Sequence, residues 1–376
     1  MKKLLILVIA LAIISGAFAS DNQSAAYVRM LSRETATDAI DIAYFNPAGT
    51  AFLPEGFHVQ LNNQTVYLNY SHTSLISSND YASQVWIPFF PTAFLGYNGG
   101  QWATFASFTI PEGGGTVNYA DGSSVLDAFG GGTIEASSAF YSISLGGSYR
   151  FGDTLGISAQ GSLVLGDEST ELFVGAPGSS KASGVGYSVA FGAHYNPIDP
   201  LKFSVTVESG QKIDMEYTEV TGVAAGFFTQ GDVVNADSPW RIRAGASYAF
   251  GFGLEIPVSF KYDFYKAMDS NLRNSWSASM AGRYWITDTF ELSIGASYDI
   301  DEYENLSDWG MMQMLDPPLS SVTIAGGIGW EIIDNLKLDI GALYPFYFAE
   351  AGGAVIGSID LNKQVINMAI GIGYVF

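Results

Sequence analysis

Bulky apolar side chains recur at every second position over about 14 stretches of this chain, with small or polar residues between them. In Val185, Tyr187, Val189, Phe191, Ala193 and Tyr195 the intervening residues are Gly186, Ser188, Ala190, Gly192 and His194, a period of two that belongs to a strand with one greasy side. Leu155 to Leu165, Trp240 to Phe250 and Phe290 to Ile300 repeat the pattern. The full set runs over 57–70, 84–97, 102–110, 138–150, 155–166, 184–195, 201–208, 240–250, 254–264, 275–286, 289–300, 322–330, 336–348 and 363–376. Most are near the ~9–11 residues that a tilted membrane strand requires. A soluble sandwich would turn its bulky face inward and leave charge outside. Here the other face is mostly Gly, Ser, Ala and Thr, and only 14% of residues are charged. The pattern predicts an all-β chain, a transmembrane antiparallel β-barrel of about 14 strands. Short turns at 151–154, 251–253, 287–288 and 332–335 alternate with long connections at 112–136, 167–183, 209–239 and 301–320. That asymmetry is the one outer-membrane barrels show, with the long loops outside the cell.

The N-terminus gives the destination. Lys2 and Lys3 precede an apolar run from Leu4 to Ile14, and Ala17-Phe18-Ala19 supplies the small residues of a cleavage site. Residues 1–19 are therefore expected to be a signal peptide, too short in their apolar part to span a bilayer. A net charge of -21 has the wrong sign for a nucleic-acid partner, and without Cys there is no disulfide or thiolate metal site. His58, His72 and His194 are the only histidines, and none stands in a nucleophile or metal motif. No enzyme activity, metal or cofactor is expected. Ile366, Met368, Ile370, Ile372 and Tyr374 lead to a terminal Phe376, a strand resembling those read by the barrel assembly machinery of the outer membrane, whose lipids and lipopolysaccharide would surround the protein. A closed sheet of this size encloses more space than small side chains fill. Residues 20–54, too apolar for a free tail, are the expected plug, with the barrel occupying 55–376.

The plug ends in Asp38-Ala39-Ile40-Asp41-Ile42-Ala43-Tyr44-Phe45-Asn46-Pro47-Ala48-Gly49, ahead of the first strand. This resembles the N-terminal hatch of the FadL-type long-chain fatty acid transporters, whose hallmark is Asn-Pro-Ala just before strand one. Ser238-Pro239-Trp240-Arg241-Ile242-Arg243-Ala244-Gly245 is similar to the family's proline-led strand, and Asp316-Pro317-Pro318 to another loop-to-strand junction. The resemblance implies a barrel with a lumenal hatch, passive uptake of long-chain fatty acids or other hydrophobic small molecules, and gating at Asn46, Pro47, Ala48 and Gly49. Pro47 fixes its own backbone and pushes Asn46 out of the helical region.

A carboxylate-headed ligand would need basic groups in the lumen. With Trp240, Ile242 and Ala244 facing lipid, Arg241 and Arg243 face inward, as do Lys261 and Arg283. These four, with Phe105 and Phe108, are the candidate substrate-binding residues. Pairing of the cations with Glu255, Asp263, Asp38 or Asp41 is the plainer expectation for each, and Arg29 and Arg33 on the plug pose the same choice. The run 102–110 ends in Pro111 and then Gly113, Gly114 and Gly115, residues that interrupt a ladder. In the resembled family a kinked strand opens a lateral gate into the bilayer, so this stretch is a candidate strand break. The competing reading is a structural or adhesive surface barrel that transports nothing.

Overall fold

The computed structural model describes residues 21–73, 79–127, 129–303, 315–316, 318–348 and 361–376, so the expected signal peptide and Pro317 lie outside the described residues. Strands β1 (Gly56–Thr73), β2 (Asp80–Asn98), β3 (Trp102–Tyr119), β4 (Thr133–Phe151), β5 (Leu155–Phe173), β6 (Pro177–Ile198) and β7 (Leu201–Glu208) follow one another as antiparallel neighbours. After a detour through β8 (Asp214–Gly222) and β9 (Val233–Asn235) the wall resumes. Its second half is β10 (Arg241–Phe250), β11 (Leu254–Asp263), β12 (Ser275–Thr287), β13 (Phe290–Ile300), β14 (Ser321–Ile333), β15 (Leu336–Tyr347) and β16 (Leu361–Val375). β7 pairs with β10, and β16 pairs with β1 in register from His58↔Val375 to His72↔Leu361, closing a ring of 14 strands. β8 and β9 stand outside the ring, β8 on the outer end of β6.

Closure gives each wall strand a neighbour on both sides, which a membrane demands. The outward face is apolar around the belt: Tyr187, Phe191, Met280 and Ile294 are among its most exposed side chains, up to 71% for Tyr187. No water-soluble surface carries such a continuous patch. At the short-turn rim, aromatic pairs stack edge to face, including Tyr149–Phe151, Tyr248–Phe250 and Tyr374–Phe376 with centroids 4.9, 4.8 and 4.7 Å apart. They form the interfacial girdle of an outer-membrane barrel.

Two of the expected long loops are strand instead. β3 and β4 continue to Tyr119 and from Thr133, and β5 and β6 meet across only 174–176. The period of two persists there, with Glu168, Thr170 and Leu172 buried and Asp167, Ser169 and Glu171 turned outward. Beyond the lipid belt the outer face no longer needs bulky apolar residues, so the mark by which membrane strands are recognised disappears while the ladder goes on.

The segment from residue 21 to 55 fills the lower lumen. It carries two single-turn helices, α1 (Ala25–Val28) and α2 (Ile42–Phe45), and a 3₁₀ turn at Pro47–Phe52. Ala25, Val28, Leu31 and Phe45 pack on Ala325, Leu343 and Ala369 of the wall, while Ile40, Ile42 and Leu53 pack on Phe94 and Phe105. The inward glycines make room for this plug: a Cβ on Gly295 would lie 2.0 Å from the carbonyl oxygen of Met30, and one on Gly341 2.7 Å from the Arg29 nitrogen. A second apolar cluster, with Leu68, Tyr119, Ile213, Met215 and Leu315, packs the outer half where the 209–239 segment folds over the wall.

Candidate functional site

The Asn46-Pro47-Ala48-Gly49 stretch is a docking knot. Asn46 takes a conformation outside the helical region, and its side-chain oxygen accepts from the Gly49 N–H at 3.2 Å. Its amide nitrogen donates to the Ala36 carbonyl at 3.1 Å and to His194 Nδ1 on β6 at 2.9 Å. His194 Nε2 then donates to Asn196 Oδ1 at 2.8 Å, one consistent tautomer along the chain. Pro47 opens the 3₁₀ turn, where a missing N–H costs nothing. Thr50 meets Ser148 of β4 at 2.7 Å, and Asn98 of β2 donates to the Thr50 and Leu53 carbonyls. His58 likewise has a structural partner, the Pro54 carbonyl at 2.7 Å, and His72 has Ser124 at 2.6 Å.

Ion pairs bind the plug to the opposite wall. Arg29, fully buried, donates to Asp339 at 2.9 Å, to Ser293 at 2.9 Å and to Glu291. Arg33 grips Asp41 and Asp38 within the plug, at 2.6 and 2.7 Å. Asp38 in turn meets Arg283 and Lys337 of the barrel. Arg283, also paired with Glu255 and Glu291, sits in this network and not in a ligand cavity.

The wall is interrupted beside the plug. The β2–β3 ladder holds only from Ala93↔Phe108 to Asn98↔Ala103, and further out the two strands part. They meet again where the Asn118 N–H donates to Ser83 Oγ at 2.7 Å. Across the same stretch the β3–β4 register shifts between Thr109 and Glu112 and between Gly113 and Gly115. Pro111 lacks a ladder N–H, and Gly113 and Gly114 hold φ of 69° and 79°, a region open to glycine. Phe90 of β2 closes the gap, against Ile110 and so near Gly114 that a Cβ there would meet its ring at 2.1 Å. Gln23 of the plug spans the window: its side chain exchanges two hydrogen bonds with the Ile110 backbone, at 2.8 and 2.9 Å, while its carbonyl accepts from Thr92 of β2 at 2.6 Å.

Above the plug lies a cavity of about 520 Å³, bounded below by Asp21, Tyr27 and Leu31 and at the side by Pro111, Glu112 and Gly113 of the strand break. Arg241 and Lys261 line it, as inward alternation requires, but Arg241 is paired with Asp263 and Lys261 with Asp21. Arg243 lies deeper, bonded to Asp21, Glu208 and the Tyr44 hydroxyl, its guanidinium 4.9 Å from the Tyr44 ring centre. Glu302, at the start of an outer loop, also faces the cavity, and burial pushes its carboxyl up to about 7, helped by Asp301, Asp263 and Glu112.

The two phenylalanines take different places, and neither lines the cavity. Phe105 packs on Ile40, Ile42 and Leu53 of the plug. Phe108, three residues along, falls in the opposite phase and stacks on the exposed ring of Tyr141 at 6.1 Å, so it belongs to the outer face. Glu112, Glu302 and Gln23 had no mark in the sequence, because their roles depend on strands far away in the chain. Only the interruption at Pro111 hinted that backbone groups nearby would need a partner.

A closed barrel of 14 strands with a greasy outer face is an outer-membrane β-barrel, and here its N-terminal segment packs inside it. Solved structures place it further. The Pseudomonas putida toluene transporter TodX superposes with a TM-score of 0.70 at 12% identity, covering 98% of this chain and 100% of that one. A Pseudomonas aeruginosa FadL homologue gives 0.70 at 12% identity, over 95% and 99%, and the Ralstonia pickettii toluene transporter TbuX 0.65 at 13%, over 90% and 94%. The chain has the FadL-type fold. No protein-family model matches it, and no curated protein matches its sequence.

Proposed function

We propose that the protein is a passive outer-membrane channel for hydrophobic small molecules, with the N-terminal plug as its gate. A lipophile entering from outside would rest in the cavity above the plug and leave sideways through the parted stretch of β2 and β3. The observation that carries this reading is the shared boundary: Pro111, Glu112 and Gly113 line the cavity and also form the break in the wall. The proteins of like fold are described as transporters of toluene or channels for monoaromatic hydrocarbons, which supports a hydrophobic cargo here. Lateral exit suits such a cargo, since the bilayer is a better solvent for it than the periplasm. Phe376, 73% exposed at the end of the closing strand, would be read by the assembly machinery, and lipopolysaccharide would border the apolar belt.

The test is uptake of a labelled long-chain lipophile by cells lacking their own outer-membrane transporter, carrying either the intact protein or Asn46→Ala with Pro47→Ala. Uptake restored by the intact protein and altered by the paired substitution is expected. A correctly assembled barrel that moves neither fatty acids nor aromatic hydrocarbons would sink the channel and leave the adhesive surface barrel.

A further inference from the structure

The charge of the cavity separates ligand classes that the apolar character of the channel does not. Its lining includes eight acidic residues against three basic ones, Arg241, Lys261 and Lys363. Each of the three is already committed: Arg241 to Asp263, Lys261 to Asp21, and Lys363 to Asp316 at 3.0 Å. A ligand carboxylate would therefore enter a space with surplus negative charge and would have to displace an internal partner to find a cation.

Two of the acids are left over. Glu302 is more than nine-tenths buried, faces the cavity, and its carboxylate makes no ion pair or hydrogen bond to another residue among those described. Glu112, at the strand break, is also without such a partner. Most buried carboxylates here are paired, as Asp41 and Asp339 are, and Glu168 on β5, the other exception, lies away from the cavity; an unmatched carboxylate at the cavity wall is a recognition group in waiting. Tyr27, Tyr265 and Trp276 line the same cavity, with ring faces that attract a cation and rings that accommodate hydrocarbon.

We propose that the cavity selects cationic amphiphiles, with the ammonium head of an amine-bearing lipophile held at Glu302 and Glu112 and its chain along the aromatic wall. This deepens the channel reading and rests on it. Alkyl carboxylates are the disfavoured class and uncharged analogues the intermediate one.

The experiment is calorimetric titration of the full barrel in nanodiscs of zwitterionic lipid with octylamine, octanol and octanoate below their micelle concentrations, against empty nanodiscs. Octylamine is expected to bind at least about tenfold tighter than octanol, and octanoate weaker than octanol. Glu302→Gln should remove most of the amine's advantage and leave octanol unchanged, and Glu112→Gln should do so in part. Because the net charge of -21 attracts any cation, an amine preference untouched by both substitutions would overturn the site, as would octanoate binding as tightly as octylamine. Octanol bound with no amine advantage defeats this inference alone. No binding of any of the three to a folded barrel defeats the channel reading with it.

Discussion

Glu302 has a testable acid–base signature. Burial, reinforced by Asp301, Asp263 and Glu112, raises its carboxyl from the ordinary 4.5 to about 7, and Tyr265 stands beside the same group while Arg273 pairs with the neighbouring Asp301. A raised carboxyl binds more protons folded than unfolded, so between those two values its contribution to stability falls as pH rises. Ligand binding should run the other way for an alkylamine, which stays cationic throughout: affinity climbs as pH passes from 6 to 8 and the carboxylate ionises. Glu302→Gln should flatten that profile, and a wild-type profile already flat would show that Glu302 does not meet the head group. Single residues of this kind were only partly legible. Alternation placed Arg241, Arg243, Lys261 and Arg283 on the inner face, yet which carboxylate each would meet depends on strands that pair far apart in sequence. Phe108 shows the limit from the other side: aromatic in a run with aromatics in both phases, it could be assigned to the lumen only by ignoring that it is three residues from Phe105.

At the scale of elements, all 14 membrane strands stood out because lipid imposes a bulky residue at every second outward position. The extensions of β3 to β6 were hidden because water imposes no such mark. The break in β3 could be seen as a run of residues that cannot hold a ladder, but its consequence needed the structure: β2 and β3 part beside it, and Gln23 bridges the rims. That bridge predicts coupling between plug and wall. Gln23→Ala leaves the Ile110 N–H and carbonyl without their partners, a loss of about 1–3 kcal/mol for a buried polar group left unsatisfied. Faster hydrogen exchange at Ile110 and a several-fold rise in uptake of an uncharged lipophile are expected. Unchanged exchange at Ile110 would mean that the window is held shut by Phe90 and the wall alone.

For the whole molecule the question is whether plug and barrel are one cooperative unit. The ring of strands closes on itself through backbone hydrogen bonds in an apolar solvent, and none of those bonds requires residues 21 to 55. The plug, with two helices of 4 residues each, has no comparable framework, and its order depends on the wall it packs against. Arg29 is the strongest single tie, holding Glu291 and Asp339 from inside the lumen. Arg29→Met keeps much of the volume but strands charge on the barrel side, and breaking a buried pair by removing one partner costs about 3–5 kcal/mol. Lys337 and Arg283 still compensate Glu291, so Asp339 bears most of the loss. Adding Asp339→Asn should then recover part of it, because the stranded charge is gone. If the barrel stands without its plug, Arg29→Met will expose residues 21 to 55 to protease and lower the midpoint at which the plug is released, while the heat-resistant mobility of the closed barrel stays unchanged. A single shared transition that shifts as a whole would show instead that the barrel cannot stand without its plug, and gating would then have to proceed by small local movements such as the release of Gln23.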